Sequence, residues 1–409
     1  MKKIVVIGAG PAGLMAAISA AQNKAEVLIL EKNDRPARKL LITGKGRCNV
    51  TNNCTLRELI ENTAKNEKFL YSAFSSFNSQ DTMSFFENHG VALKTERGRR
   101  VFPVSDKAVD IADALVFAAK KLNCKIKKGR AEKILTENNS VKAVLLESGE
   151  TVSCDRVILA TGGASYPLTG STGDGYKIAE DLGICVEPIL PSLVPLECLE
   201  GFCTKLAGLT LNNVVLSVYE NDSKKPVFSE LGDLLFTHFG ISGPLVLSAS
   251  AKMRKKNAKY TAFIDLKPAL SFEQLNARIL RDFSSEQNKE FSNSLYKLLP
   301  KSLVSVIVRL SKIDPHKKVN QISREERENL CSLLKALKLN ITAFRPIEEA
   351  IITSGGISVK EIDPKSMASK KIDGLFFCGE IIDVDAYTGG YNLQIAFSTG
   401  FLAGKNAAE

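Results

Sequence analysis

The run Gly8-Ala9-Gly10-Pro11-Ala12-Gly13 follows the apolar stretch Ile4–Ile7 and opens a second apolar stretch rich in alanine. This spacing suits the phosphates of a dinucleotide. Gly8 permits a tight turn, Gly10 lets the backbone approach a pyrophosphate, and Gly13 lets helix and sheet pack closely. A helix starting there presents unpaired N–H groups and a partial positive charge to an anion. Glu31 closes the next apolar run, 18 positions after Gly13, where an acid can accept hydrogen bonds from an adenosine ribose. An acid at that point suits an unphosphorylated ribose, so FAD or NAD is expected rather than NADP.

Two further signals favour FAD over NAD. Val157–Ala160 runs into Thr161-Gly162-Gly163, a strand-and-turn whose glycines allow close backbone approach. Gly374–Cys378 ends in Gly379-Glu380, followed by Asp383 and then by Gly389-Gly390-Tyr391-Asn392-Leu393-Gln394. The last group reads as a glycine turn into a helix, whose N-terminus could stabilise negative charge at N1–O2 of a reduced flavin. A nicotinamide dehydrogenase needs no such combination. No second glycine fingerprint with its own βαβ unit is visible, so any NADH or NADPH would have to use the flavin's own cleft.

The elements that would position these residues follow from hydrophobic period. Ile4–Gly8 predicts a buried parallel strand, Ala12–Asn23 a helix and Glu26–Leu30 a second strand, together one βαβ unit. Arg35–Asn53 reads as a long loop, and Leu56–Ser75, Ser79–His89 and Ala108–Leu122 as helices. Short strands are expected at Lys125–Lys128, Val141–Glu147, Thr151–Asp155 and Arg156–Ala160. Strand-like runs with Gly, Pro and Asn fill about 188–270, a helical pattern fills 271–339, and glycine-punctuated αβ texture returns after Pro346. The expected fold class is α/β. A discontinuous dinucleotide-binding domain (residues 1–190 and 340–409) is interrupted by a β-rich insert (191–270) and a small helical insert (271–339).

Composition narrows the partners. The chain of 409 residues carries a formal net charge of +10, which favours anions in general without choosing among them. The densest basic run, Lys252–Lys259, lacks interleaved aromatics, so a small-molecule substrate is expected and nucleic acid is not. Lys2 and Lys3 before an apolar stretch resemble a secretory signal, but Gly8, Gly10, Pro11 and Gly13 would break its helix. No apolar run is long enough for a membrane span. Nine scattered cysteines without a CxxC pair favour reduced thiols in a cytoplasmic protein, and no metal cluster is indicated.

The segment Thr43-Gly44-Lys45-Gly46-Arg47-Cys48-Asn49-Val50-Thr51-Asn52 resembles the hallmark loop of the BaiN-like, aminoacetone-oxidase-type family of FAD-dependent oxidoreductases. Arg97–Val109, Thr161–Gly175, Leu235–Leu247 and Ala350–Gly400 resemble further blocks of that family in the same order. The resemblance implies a glutathione-reductase-like FAD domain split by inserts. It places Gly8–Gly13, with Pro11 and Ala12, on the pyrophosphate and Glu31 with Lys32 at the ribose. Arg38, Lys39 and the loop Gly46, Arg47, Cys48, Asn49 would lie along the cofactor, Ala131 at the adenine, and Thr161 and Gly162 on the adenosine side. Gly379, Glu380 and Asp383 would lie near the ribityl chain, and Gly390, Tyr391, Asn392, Leu393 and Gln394 near the flavin ring.

The implied function is hydride transfer through flavin N5, between NAD(P)H or a small organic substrate and an unsaturated or carbonyl-type acceptor or oxygen. The alternative is a flavin-containing protein that binds or modifies nucleic acid such as tRNA, docking through its basic insert. Cys48 could be redox-active or merely packed. His238 could be an acid–base group or a structural histidine, and Tyr166 and Tyr391 could face the flavin or simply pack.

Overall fold

The structure, a computed structural model, describes all residues except 222, 254, 256 and 257. Contacts divide the chain into one unit of Met1–Ser192 with Pro346–Glu409 and a second of Leu193–Arg345.

The first unit is organised by a five-stranded sheet in the order Leu375–Phe377, Arg156–Leu159, β1 (Lys3–Ile7), β2 (Glu26–Glu31), Lys125–Lys128. Every pairing in it is parallel. Val5, Val6, Ile29, Leu159 and Phe377 are all buried. Strands covered on both faces read as continuous apolar runs, which is why β1 was legible. Helix α1 (Pro11–Gln22) is buried around most of its circumference, from Ala12 to Ala20. It packs on the C-terminal helix Tyr391–Ala408, where Cβ atoms at Gly400 and Gly404 would overlap the carbonyl oxygens of Ala12 and Ala16. Only glycine lets those two backbones meet.

A three-stranded antiparallel meander, Ala131–Glu137, Ser140–Leu146 and Thr151–Ser153, completes the nucleotide half. The helix expected over Leu56–Ser75 is broken in two. Helix Leu56–Glu61 stops at Asn62, and Thr63–Lys65 pairs with Asp385–Ala386 before a second helix, Tyr71–Ser76. A strand partner more than 300 residues away in sequence overrides local helical period here.

The second unit is a closed six-stranded barrel built from Leu196–Cys198, Gly240–Ser242, Phe228–Phe236, Thr210–Glu220, Tyr260–Asp265 and Leu337–Phe344. Helices Phe272–Ser285, Lys301–Ser311 and Arg324–Lys335 share its core, with Leu275, Ile307 and Leu334 joining Leu216, Ile264 and Leu339. The β-rich and helical inserts expected separately therefore have one core. The expected boundary at 339/340 falls inside strand Leu337–Phe344, which closes the barrel by pairing with both Tyr260–Asp265 and Leu196–Cys198. Among the described residues no helix is long and apolar enough to cross a membrane.

Candidate functional site

Backbone contact dictates the glycines of the first turn. A Cβ at Gly8, which has φ +105°, would lie 2.5 Å from the Ala160 oxygen, and one at Gly13 would overlap the Gly8 oxygen. Gly10 differs: its Cβ position has nothing within 4 Å, so open space lies before the start of α1. Pro11 occupies the first helical position and no side chain caps the helix, leaving first-turn N–H groups free for an anion.

Glu31 is buried at the end of β2. Its Oε1 accepts from the Asn33 backbone N–H and from Asn33 Nδ2, both at 2.8 Å, and its Oε2 accepts from the Ala9 N–H at 2.9 Å. Oε2 keeps room for a further donor. The Glu31 carbonyl accepts from the Gly129 N–H at 2.9 Å, which brings Arg130 and Ala131 alongside.

Residues 161–174 are tied across the end of β2. Lys32 Nζ donates to Thr172 Oγ1 at 2.5 Å and pairs with Asp174 Oδ2 at 2.6 Å, and Arg130 pairs with Asp174 Oδ1 at 3.0 Å. Burial pushes the Asp174 carboxyl up, but hydrogen bonds from Lys32, Arg130 and Thr172 outweigh it and hold it below the usual range. Lys39 Nζ reaches Ser165 Oγ and Glu380 Oε2, each at 2.7 Å. Glu380 also accepts from the Thr353 N–H at 2.9 Å. Arg38 is exposed. Thr161 Oγ1 is buried with no hydrogen-bond partner, beside Gly162 in the left-handed region.

The loop after Lys39 meets the C-terminal helix. Asn52 Nδ2 donates to the carbonyls of Gly98 at 3.0 Å and Gly389 at 3.1 Å. Gly390, with φ +98°, rests directly on Thr51. The side-chain oxygens of Asn49 and Asn52 are buried and lack donors. Gly379 sits against α1, where its Cβ would lie 2.6 Å from that of Ala12, and its N–H donates to Thr399 Oγ1 at 2.9 Å. Asp383 pairs with Lys65 at 2.5 Å and accepts from Asn66. Tyr391 is half-buried and its phenol is pushed up to about 12 by that burial.

A model of the HI0933-like protein Rossmann domain family matches residues 2–406. The chain belongs to the HI0933-like family. As a member it is an FAD-dependent oxidoreductase, a flavoprotein with a Rossmann-type FAD-binding domain. It is 30% identical to the 3-dehydro-bile acid delta(4,6)-reductase of Clostridium scindens over 100% of both chains. It is 32% identical to the ribosomal RNA dihydrouridine synthase of Escherichia coli over 97% of this chain and 96% of that one. Among solved structures it resembles the open form of a flavocytochrome c3 fumarate reductase, at TM-score 0.54 and 18% identity over 100% of this chain and 78% of that one. It also resembles a 3-ketosteroid-delta4-(5alpha)-dehydrogenase from Rhodococcus jostii RHA1, at TM-score 0.53 and 16% identity over 100% and 97%. At such identities the two structures speak for the fold.

Several residues picked out from the sequence have their side chains partnered within this HI0933-like protein. Gln394 is fully buried, with Oε1 accepting from Thr51 at 2.6 Å and Thr82 at 2.8 Å and Nε2 donating to Phe77 O and Ser398 Oγ. Its side chain has nothing left for a ligand. The Asn392 amide holds Ala386 and Tyr387, while Leu393 is half-buried on the same first turn.

Arg47 lies 4.2 Å over the Phe102 ring, paired with Glu96 and, at 2.6 Å, with Asp106, beside the exposed Gly46. The buried Cys48 thiol is pushed up to about 12, so it stays protonated and packs rather than reacts. His238 is exposed on the barrel unit, edge-on to Phe239, and no part of the nucleotide half contains it. Burial raises the Tyr166 phenol.

Other partners left little trace in the sequence. Asn33 lies two residues past Glu31 and was within reach of local reasoning. Thr353 Oγ1, accepting from Ala164 and Ser165, acts across nearly the whole insert and leaves no local signal.

Proposed function

We propose that the protein reduces a carbon–carbon double bond conjugated to a carbonyl, using a reduced nicotinamide as donor. One observation carries this reading. The two kinds of relative that match end to end carry different substrates in their names but share one reaction class. A delta(4,6)-reductase of a 3-oxo compound saturates alkenes conjugated to a ketone, and dihydrouridine differs from uridine by saturation of the double bond conjugated to the C4 carbonyl. In either case the donor supplies a hydride, the medium a proton, and the substrate gains two hydrogens.

The residues fit FAD. The open space before Gly10 admits a pyrophosphate, with the free N–H groups of the α1 first turn to bind it. Glu31 Oε2 would take a ribose hydroxyl. Ala131 would border the adenine, and Thr161, Gly162 and the Lys39–Glu380 pair would line the cofactor's length. Asn49 Oδ1, buried without a donor, suits a ring bearing N–H groups. The first-turn N–H groups of Tyr391–Leu393 would face its negative edge. FAD when bound supplies two-electron hydride chemistry. The chain's own part is to orient the cofactor, keep water from it and hold its charges.

A second reading concerns the acceptor alone. The net charge of +10 and two relatives named ribosomal RNA dihydrouridine synthases favour a uracil ring within RNA over a free small molecule. The test is anaerobic titration of the flavoprotein with NADH and NADPH, then reoxidation by a 4-en-3-one steroid, by ribosomal RNA or by oxygen. Reoxidation by an enone or RNA far faster than by oxygen is expected. Turnover with oxygen alone would sink the reductase reading.

A further inference from the structure

The barrel carries a concentration of positive charge that the reaction itself does not need. Residues 220–226 and 251–260 contain seven Lys and Arg against two acids, half of the chain's net excess of +10. Sheet register brings the two segments together. Strands Thr210–Glu220 and Phe228–Phe236 form a hairpin, and Glu220 at its tip pairs with Tyr260 on the neighbouring strand Tyr260–Asp265. Asn221 locks the junction: its N–H donates to the Lys259 carbonyl at 2.7 Å, and its Oδ1 accepts from the Lys259 N–H at 3.1 Å.

Lys224, Lys225 and Lys259 are exposed and make no ion pair among the described residues. Lys255 pairs with Glu220 at 2.6 Å. Residues 254, 256 and 257 of the basic run lie outside the described residues. Cations on the helical side of the same unit are instead matched by acids, as in Lys297–Glu286, Lys317–Glu326 and Arg324–Glu328. A solvated face usually mixes its signs. This one does not.

We infer that this end of the barrel, at Lys224, Lys225 and Lys259, docks the phosphate backbone of RNA. The inference rests on the reading that the acceptor is a uracil in RNA, and it adds where the polyanion is held. Phosphate contacts position a nucleic acid without reading its sequence, and compact ammonium groups serve that purpose. A lipid surface is the poorer match, since Met253 and Tyr260 are both only 4% exposed and no large apolar side chain among the described residues of 220–226 and 251–260 is exposed.

The test uses the full flavoprotein, purified ribosomal RNA, and vesicles containing phosphatidylserine. Wild-type protein should bind RNA with a steep inverse dependence on salt. The triple variant Lys224→Glu, Lys225→Glu, Lys259→Glu should bind at least about tenfold more weakly, with the log–log salt slope reduced by about 2. Its flavin content, melting temperature and turnover with a free enone should match wild type. A Lys→Gln triple variant should show a smaller loss in the same direction. Unchanged RNA affinity in the charge-reversed variant, or capture of vesicles in preference to RNA, would overturn the inference. Wild-type protein that ignores RNA at low salt would overturn both this inference and the RNA reading, while continued enone reduction would leave the reductase standing.

Discussion

At the start of α1 a Cβ on Gly10 would meet nothing within 4 Å, whereas at the start of the C-terminal helix a Cβ on Gly390 would overlap the backbone of Thr51. Both helices begin on glycine without a side-chain cap, and both start turns look alike in sequence. The first leaves open space beside its glycine; the second sets its glycine against the protein's own backbone. Behind Gly390 the Gln394 amide is saturated by Thr51, Thr82, Phe77 and Ser398. A glycine turn therefore borders open space in one place and packs on backbone in the other.

The comparison breaks most severely at Gly13, where a side chain would overlap the Gly8 oxygen and strike the Ala160 Cβ. Gly13→Val is expected to yield no folded flavoprotein, read as loss of soluble protein with flavin absorbance. A soluble yellow variant would show that turn and helix need not touch.

Next comes Gln394→Leu, which strands several buried polar groups at a cost of about 3 kcal/mol in denaturant unfolding. FAD affinity of the folded fraction should stay within about threefold of wild type, roughly 0.6 kcal/mol. A large loss of affinity without loss of stability would return Gln394 to the cofactor.

Gly10→Ala sharpens the other side. Its backbone, with φ −75°, accepts alanine without strain, so the apoprotein should melt as wild type does. FAD should bind about tenfold more weakly, ~1.4 kcal/mol, because the methyl group takes the room the pyrophosphate needs. Equal FAD affinity would remove the ligand from this turn.

The smallest effect is expected at Cys48. Its thiol stays protonated until pH nears about 12, so native-state alkylation followed by mass spectrometry should leave it unmodified from neutral pH to pH of about 10, while the exposed Cys185 reacts. Cys48→Ala should leave flavin reduction by NAD(P)H unchanged. Ready labelling of Cys48 would reopen a redox role.

How far the sequence could be read depended on the range of each interaction. The βαβ unit was legible because a covered parallel strand, a tight glycine turn and a terminal acid are all written within 31 consecutive residues. The start of the C-terminal helix and the run into Thr161 were legible for the same reason. Gly400 and Gly404, four apart and pressed on α1, carried a signal of close helix packing that was there to be found. The break after Glu61 was not, because its cause is the strand Asp385–Ala386.

By itself the sequence determined the class of fold, the tight glycine turn after β1 and the family, since local spacing specifies backbone angles and apolar period. Tertiary structure alone decided which donors and acceptors remain free. Arg47 is taken by Glu96 and Asp106, Gln394 by Thr51 and Thr82, and Lys32 by Asp174, while Asn49 Oδ1, Thr161 Oγ1 and the space before Gly10 are left open. A polar side chain's availability depends on who else reaches it, and for Gln394 those partners stand 343 and 312 residues away. Barrel closure was equally out of reach, because Leu337–Phe344 finds its partner strand Leu196–Cys198 only after the chain has gone round the barrel.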